Sequence, residues 1–397
     1  MFVPIANTPR DYAWGSTTAI AGLLGSTPSG SPEAELWLGA HPGSPARILS
    51  PGAAGGHDTL ADWVAADAAS AGLSEPRLPF LLKLLAADAP LSLQAHPSPA
   101  QAREGFEREN AAGIPLGAAD RNYRDAFHKP ELIFALSPTF DALCGFRPVA
   151  EAAADVDALL AAPGLADQAR AALADFRESL DGDDADVLRR VVASLLGDDV
   201  SVLVTAVTDA AASAELTPAV DTVRLLSEFY PGDPGIVVSL LINRVTLSRG
   251  EVLYLPAGNI HAYLRGFGVE LMAASDNVLR GGLTPKHIDV QELLSVLDFT
   301  PLPLPYLEPA RPSDGVEVYR PDVPDFELAR IVPVDGRPAA IDLPGPAIAI
   351  ATAGRLSVSG ASGAIELGQG EAVYVTPDEV RLTVTGAGEL FVATTRL

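Results

Sequence analysis

The sequence contains few cysteines and no long apolar run. Its one cysteine, Cys144, cannot form an internal disulfide, so nothing in the sequence calls for an oxidising compartment. No run of about 18 or more uncharged apolar residues occurs, which argues against a membrane span. The first residues, MFVPIANTPRDYAWG, lack the basic and apolar segments of a signal peptide. We therefore expect a cytoplasmic protein.

Positive charge is also scarce. The chain has 27 Lys and Arg against 51 Asp and Glu, which gives a formal net charge of −24. This excess disfavours nucleic acids and anionic membranes as partners, because both bind through surface cations. Only three of the cations are lysines: Lys83, Lys129 and Lys286. Because the chain otherwise uses arginine, we expect these three lysines to have roles that arginine cannot fill. The alternative is that codon bias favours arginine and that the three lysines remain by chance.

The 397 residues, 48% of them hydrophobic, are typical of a folded globular protein with two or three domains. Residues 1–150 contain short apolar runs between Pro and Gly clusters, which predict strands; helix is the alternative for LPFLLKLLAA (78–87). Residues 151–228 are rich in Ala and Leu at three- and four-residue spacing, which predicts a helical insertion. Strand patterns return in residues 229–300 and in a third block, residues 301–397.

Two segments resemble each other. RGEVLYLPAGNIHAYL (249–264) and QGEAVYVTPDEVRLTV (369–384) share a Gly-Glu pair, an alternating strand and a following Pro. Only the first segment carries a histidine, His261. Two related β-barrels, one with a metal and one without, account for this similarity. Two unrelated strands that both end in a Pro turn are the alternative.

Residues that can bind metals occur near the ends of predicted strands. Gln94 and His96 in LSLQAHP are two apart, as are Lys129 and Glu131 in FHKPELIFAL, so each pair projects from one face of a strand. His261 follows a glycine-bearing turn. This spacing is compatible with a metal site and equally with ordinary surface or core residues.

The segment from Gly250 through Pro256 and Gly258 to His261 resembles the second metal-binding motif of the cupin jelly rolls. The Asn that usually follows this histidine by four residues is Arg265 here. Because that position is not a ligand, the difference leaves the metal site intact.

A longer set of motifs resembles the type I mannose-6-phosphate isomerases. These motifs run collinearly through residues 10–300: YAWGS, AELWLGAHP, PFLLKLL, LSLQAHP, NYRDAFHKPELIFAL, FYPGD, LPAGNIHAYL and SDNVLRGGLTPKHIDV. The resemblance implies a mainly β fold of cupin-type jelly-roll barrels: a catalytic barrel, a helical insertion and a second C-terminal barrel. It also implies one zinc ion bound by Gln94, His96, Glu131 and His261, for which other divalent transition metals can substitute.

The resemblance implies interconversion of mannose 6-phosphate and fructose 6-phosphate through a cis-enediol. Arg280 matches the active-site arginine of the family and can clamp the enediolate oxygens or the phosphate. Lys129 is our candidate acid or base, and Glu270 is a competing base. The remaining candidates are substrate-binding residues: Tyr263 as a hydroxyl partner, Lys83, Ser92 and Lys286 as phosphate anchors, and Trp14 as a wall of the pocket.

Two alternatives stay open at this stage. The chain is a metal-binding cupin that senses or binds sugars without turning them over, or it is an isomerase for another aldose phosphate. In each case we expect a monomer whose partner is a small-molecule sugar or sugar phosphate.

Overall fold

The computed structural model describes residues 1–334 and 336–396. The described fold is mostly sheet with helices, and its strands form two antiparallel sheets, neither of which is closed. The predicted mainly β fold is therefore confirmed.

The first sheet has nine strands, and we call it the site sheet. Its central strand is β10, which pairs with four other strands of this sheet. The strands are β2 (Glu35–Leu38), β4 (Phe80–Ala87), β5 (Gln94–Ala95), β6 (Glu131–Ala135), β7 (Thr139–Phe146), β8 (Ile242–Ser248), β9 (Val252–Leu255), β10 (His261–Ala273) and β11 (Leu279–Arg280).

The second sheet has ten strands and includes the start of the chain, because β1 pairs with β18. Its strands are β1 (Phe2–Ala6), β3 (Arg47–Ile48), β12 (Ala310–Ser313), β13 (Val316–Tyr319), β14 (Glu327–Ile331), β15 (Ala339–Asp342), β16 (Ala347–Ser359), β17 (Ala364–Gly368), β18 (Ala372–Val375) and β19 (Arg381–Thr394). Strands from both ends of the chain thus share one sheet, while the boundaries of the predicted domains stay a prediction.

Helices connect the strands, and six of those described follow one another between β7 and β8 of the site sheet. The α-helices are α1 (Ala19–Leu24), α2 (Leu60–Ala66), α3 (Pro99–Ala111), α4 (Val149–Leu160), α5 (Asp167–Ser179), α6 (Asp184–Gly197), α7 (Ser201–Ser213), α8 (Pro218–Phe229), α9 (Gly235–Val238) and α10 (Val290–Val296). We call α4 to α8 the helical segment. No single helix among residues 1–334 and 336–396 is long and apolar enough to cross a membrane; α6 and α7 reach that length only as a pair bent by 105°.

Two hydrophobic cores fix the position of the site sheet. One joins the helical segment to strand ends near the candidate site, with Val156 and Leu188 in the same cluster as Leu93 and Ile260. The other lies between the sheets, where the rings of Phe134 and Phe391 pack 4.8 Å apart, edge to face. Burial of apolar side chains on both sides therefore holds the site sheet rigidly.

Strand β4 shows how burial overrides the local pattern. It reads FLLKLLAA, and all eight residues are buried, including Lys83 in the middle. The segment is thus a strand rather than the alternative helix, as expected for a run that is covered on both faces. A buried lysine requires nearby carboxylates, and this strand lies where the structure supplies them.

The similar segments form corresponding strand–turn–strand units in the two sheets, and the two strands of each unit pair with other strands rather than with each other. Gly250 and Gly370 begin them with positive φ angles of 96° and 83°. Each is followed by a four-residue strand, β9 or β18, then a Pro-containing turn and a long strand, β10 or β19. The two sheets therefore contain the same local arrangement of strand, turn and strand.

Candidate active site and metal centre

Short strand pairings bring residues from distant parts of the chain into one row. Gln94 in β5 pairs with His261 at the start of β10 on one side and with Arg280 in β11 on the other. Residues directly opposite each other in antiparallel strands project from the same face of the sheet. Arg280, Gln94 and His261 are consequently neighbours on one face.

Two further pairings complete the arrangement. Glu131 begins β6 and pairs with Met272 of β10, while Lys83 of β4 lies opposite Glu270 of β10. Because β10 is the common partner, the charged residues of both flanking strands are brought beside the row that contains His261.

The two histidines and one glutamate converge. The Nε2 atoms of His96 and His261 lie 3.3 and 3.4 Å from separate carboxylate oxygens of Glu131. On the other side of each ring, Nδ1 is hydrogen-bonded to a backbone carbonyl: His96 to Asn277 at 2.8 Å and His261 to Asn259 at 3.0 Å. These carbonyls accept the Nδ1 protons, so each Nε2 presents a lone pair to the shared site.

This donor set fits a metal ion. Both Nε2 atoms are buried and have no hydrogen-bond partner among the described residues, a costly state for a polar atom. The three ligand atoms of His96, Glu131 and His261 all lie within 4.8 Å of one another. Two imidazoles and a carboxylate are typical zinc ligands, and Gln94 lines the cavity beside them.

The electrostatics support the same conclusion. Burial lowers the pKa of His96 to about 4, so its imidazole is neutral at pH 7 and able to bind a metal. Burial opposes the ionisation of Glu131, but Lys129 and His96 more than offset it and hold its pKa well below its usual range. The Lys129 Nζ atom lies 3.0 Å from the Glu131 carboxylate. Glu131 is therefore a carboxylate shared between Lys129 and the two imidazoles.

Lys83 forms a separate buried ion pair. Its Nζ lies 2.9 Å from the Glu270 carboxylate and 3.7 Å from that of Glu35, which also accepts a 2.7 Å hydrogen bond from the Trp37 indole. Burial opposes the charge on Lys83, but Glu270 and Glu35 hold its pKa above its ordinary value. Burial raises the pKa of Glu270, while Lys83 opposes that shift. The charge of Lys83 is thus already balanced by two carboxylates.

The Tyr263 hydroxyl lines the cavity and, like the Nε2 atoms of His96 and His261, is buried without a hydrogen-bond partner among the described residues. Burial and the neighbouring Glu270 raise its pKa well above the usual value, so the phenol is protonated at neutral pH. It can donate a hydrogen bond to a ligand.

The cavity lining also contains three cations without ion-pair partners in the described part of the chain, Arg124, Arg280 and Lys286. Arg280 and Lys286 have no carboxylate within ion-pair distance among residues 1–334 and 336–396, and neither has Arg124. The pKa values of Arg280 and Lys286 are lowered, first by burial and then by neighbouring cations, which include Arg124 in both cases. Cations that repel one another and lack a protein partner form a site suited to an anion.

One cavity of about 690 Å³ contains nearly all of these groups. Its lining includes ten of the twelve residues predicted from the sequence: Trp14, Lys83, Ser92, Gln94, Lys129, Glu131, Tyr263, Glu270, Arg280 and Lys286. The other two, His96 and His261, are buried and reach it through Glu131. The structure therefore brings all twelve candidates together.

Other lining residues were not singled out by their sequence pattern. Arg124 and Asn122 lie in the NYRD motif, and Asp276 lies in SDN. His41, to which the sequence assigned no role, lies 3.2 Å from the Asp276 carboxylate through Nε2. Their motifs were the only available signal, because neither hydropathy nor spacing distinguishes them from surface residues.

Comparisons with known proteins agree with this geometry. Residues 2–149 match the family model described as the type I phosphomannose isomerase catalytic domain. The chain is 40% identical to the mannose-6-phosphate isomerase of Escherichia coli strain K12, over 97% of each chain.

Solved structures are similar over the full length. A crystal structure of a phosphomannose isomerase mutant from Salmonella typhimurium has a TM-score of 0.88 at 35% identity, with 100% of each chain covered. A zinc-bound crystal structure of a mannose 6-phosphate isomerase has a TM-score of 0.87 at the same identity and coverage. The chain belongs to the type I mannose-6-phosphate isomerase family.

Proposed function

We propose that this chain interconverts mannose 6-phosphate and fructose 6-phosphate through a cis-enediol intermediate, with one zinc ion in the cavity. One observation carries the proposal: a buried metal-binding group of His96, Glu131 and His261 shares a cavity with three unpaired cations. The metal-binding group suits the oxygens of a sugar, and the cations suit its phosphate. Membership of the family supports the isomerase over a sugar-binding module.

The metal would be held by His96, Glu131 and His261, with the Gln94 amide oxygen as a fourth ligand. When bound, such an ion polarises substrate oxygens and stabilises the negative charge that develops on them. The Nδ1 hydrogen bonds to Asn277 and Asn259 keep the two rings oriented for this role.

The substrate phosphate would be held by Arg280, Lys286 and Arg124, with the Ser92 hydroxyl as an additional donor. A dianion would relieve the repulsion within this cluster, and arginine donors match phosphate oxygens in pairs. Lys83, predicted as an anchor, is less suited to this task because Glu270 and Glu35 already neutralise it.

Proton transfer between C1 and C2 would use Glu270 or Lys129. Burial raises the pKa of Glu270. A carboxylate with a raised pKa is a stronger base and so a better proton acceptor. Lys129 is an ammonium donor beside the metal ligand Glu131. The Tyr263 hydroxyl would donate to a sugar oxygen, and Trp14 would form part of the cavity wall.

We further propose that both sheets are cupin-type jelly rolls, the second without a metal. The corresponding strand–turn–strand units, β9 followed by β10 and β18 followed by β19, support this view. The proposed organisation is a catalytic part from residues 1–150 and 229–300, a helical insertion at 151–228 and a C-terminal part at 301–397. We also propose a monomeric, cytoplasmic protein without nucleic-acid or membrane partners; the scarcity of cations and of long apolar runs supports the absence of such partners.

The function is tested by incubating the purified, metal-loaded protein with mannose 6-phosphate and measuring fructose 6-phosphate. Parallel reactions with glucose 6-phosphate and free mannose define the substrate class. We expect turnover of mannose 6-phosphate in preference to both. Preferred turnover of another aldose phosphate would reassign the substrate, and metal-loaded protein that converts none of them would favour a sugar-binding role.

A further inference from the structure

The loop that carries Arg280 and Lys286 is held by a carboxylate outside the site sheet. Asp233 follows the helical segment in the turn YPGD (230–233). Its Oδ1 accepts hydrogen bonds from the backbone N–H groups of Leu283 at 2.8 Å and Gly235 at 2.7 Å, and its Oδ2 accepts one from Thr284 at 3.1 Å. One side chain therefore ties the turn to the loop through two charge-assisted hydrogen bonds, while the third, from Gly235, closes the turn itself.

The loop adopts a conformation that needs such support. Leu283 has a φ of 57°, in the left-handed region that is unfavourable for a branched side chain, yet it is buried. Gly282 has a φ of 119°, and a Cβ added there would lie 2.7 Å from the Gly235 Cα. The loop backbone thus packs directly against the turn that carries Asp233, with no room for a side chain between them.

The two halves of the loop are anchored differently. The first half is joined to the strand region before β5, since Gly281 donates to the Leu93 carbonyl at 2.9 Å and Leu93 donates to the Gly282 carbonyl at 3.1 Å. The second half, which leads to Lys286, is held by the hydrogen bonds from Leu283 and Thr284 to Asp233. Asp233 consequently determines where the Lys286 end of the loop lies relative to Arg280.

The turn itself is fixed to the cavity wall. The Tyr230 hydroxyl donates a 2.6 Å hydrogen bond to the Pro90 carbonyl, and the Tyr230 side chain lines the cavity. The helical segment packs in the same core as Leu93 and Leu283. The carboxylate is therefore presented by a rigid element rather than by a free loop.

We propose that Asp233 is a positioning residue for substrate phosphate, and that presenting it is one role of the helical segment in this enzyme. The inference rests on the proposed function, in which Arg280 and Lys286 bind the phosphate. Asp233 holds the loop but does not line the cavity. Its loss should therefore weaken phosphate binding by displacing the loop, without removing a group that touches the substrate. A residue that only stabilised the turn before α9 would instead change the folded fraction and leave the affinity of the remaining enzyme unchanged.

The test compares the metal-loaded wild type with Asp233→Ala and Asp233→Asn. KM for mannose 6-phosphate, the inhibition constant of inorganic phosphate and calorimetric binding of inorganic phosphate are measured on each, with melting temperature and metal content. Asp209→Asn is the matched control, because Asp209 is an exposed carboxylate on α7.

We expect Asp233→Ala to raise KM and the phosphate inhibition constant together by about tenfold or more, from the loss of hydrogen bonds to a charged acceptor. Asp233→Asn keeps one oxygen but turns an N–H donor toward Thr284, so we expect an increase of about threefold. The control should match the wild type, and metal content should stay constant in all variants.

Unchanged KM and phosphate affinity in both variants, or a lower melting temperature as the sole effect, would overturn the inference. If Asp233→Ala does not fold, Asp233→Asn decides by the same criteria. Calorimetric phosphate binding does not depend on turnover, so a wild type without isomerase activity would refute the proposed function while leaving the role of Asp233 measurable.

Discussion

Replacing Arg124 with alanine should weaken substrate binding while leaving the protein as stable as before or slightly more stable. Arg124 is exposed and lines the cavity, and its charge adds to the repulsion felt by Arg280 and Lys286. A hydrogen bond to a charged group contributes about 1.5–3 kcal/mol, and exposure to solvent places Arg124 at the lower end. This corresponds to a rise in KM for mannose 6-phosphate of about tenfold.

The stability of the substrate-free protein should rise slightly in Arg124→Ala, whereas its affinity for substrate falls. Removing one of three like charges relieves repulsion by a few tenths of a kcal/mol at most, because exposed charges are screened. Initial rates at low and high ionic strength, together with thermal melts, measure both effects, and the difference in KM should shrink at high salt. Arg124→Lys should recover most of the binding, and Arg103→Ala on α3 is the control for loss of an exposed arginine outside the cavity. Equal KM values for Arg124→Ala and Arg103→Ala would refute the assignment of Arg124 to the phosphate site.

Three further predictions concern the buried charges. Lys129→Arg should keep the ion pair with Glu131 but abolish turnover if Lys129 transfers the proton; an active variant in a steady-state assay would leave Glu270 as the base. Glu270→Gln should cost about 3 kcal/mol of unfolding free energy, because it leaves the buried Lys83 with only Glu35 at 3.7 Å, and the double variant with Lys83→Met should recover part of that loss in urea denaturation. Additive losses in that double-mutant cycle would show that the pair is not coupled. In the metal-free protein, the lowered pKa of His96 means that the unfolded chain binds its proton more readily, so stability should fall as the pH drops from 6.5 to about 4. His96→Gln should flatten that part of the pH profile, and an unchanged slope would contradict the assignment.

Local sequence order identified the candidate metal ligands. Gln94 and His96 lie two residues apart, and Glu131 and His261 each begin a strand, so alternation and family motifs were sufficient to identify the four candidate ligands. The helices between residues 149 and 229 were similarly visible as a three- and four-residue apolar spacing. Such features depend on neighbours in the sequence, where periodicity is informative.

Partnerships between distant residues were not predictable in this way. Lys83 and Glu270 are 187 positions apart, and only the pairing of β4 with β10 reveals that the lysine is neutralised. Asp233 lies in the FYPGD motif, but its role as a loop anchor was not predictable, because its hydrogen bonds from Leu283 and Thr284 arise from the packing of the turn against the loop. The placement of β1 in the sheet of the C-terminal strands was likewise invisible, since its pattern matches any edge strand.

The central claim is that catalysis depends on a metal held by His96, Glu131 and His261. It is tested most directly by measuring metal content and mannose 6-phosphate isomerisation on the same samples, as purified, after chelation and after readdition of zinc. We predict about one ion per chain, loss of activity with loss of metal, and recovery in proportion to occupancy. Full activity in protein shown by elemental analysis to be free of metal would contradict the account.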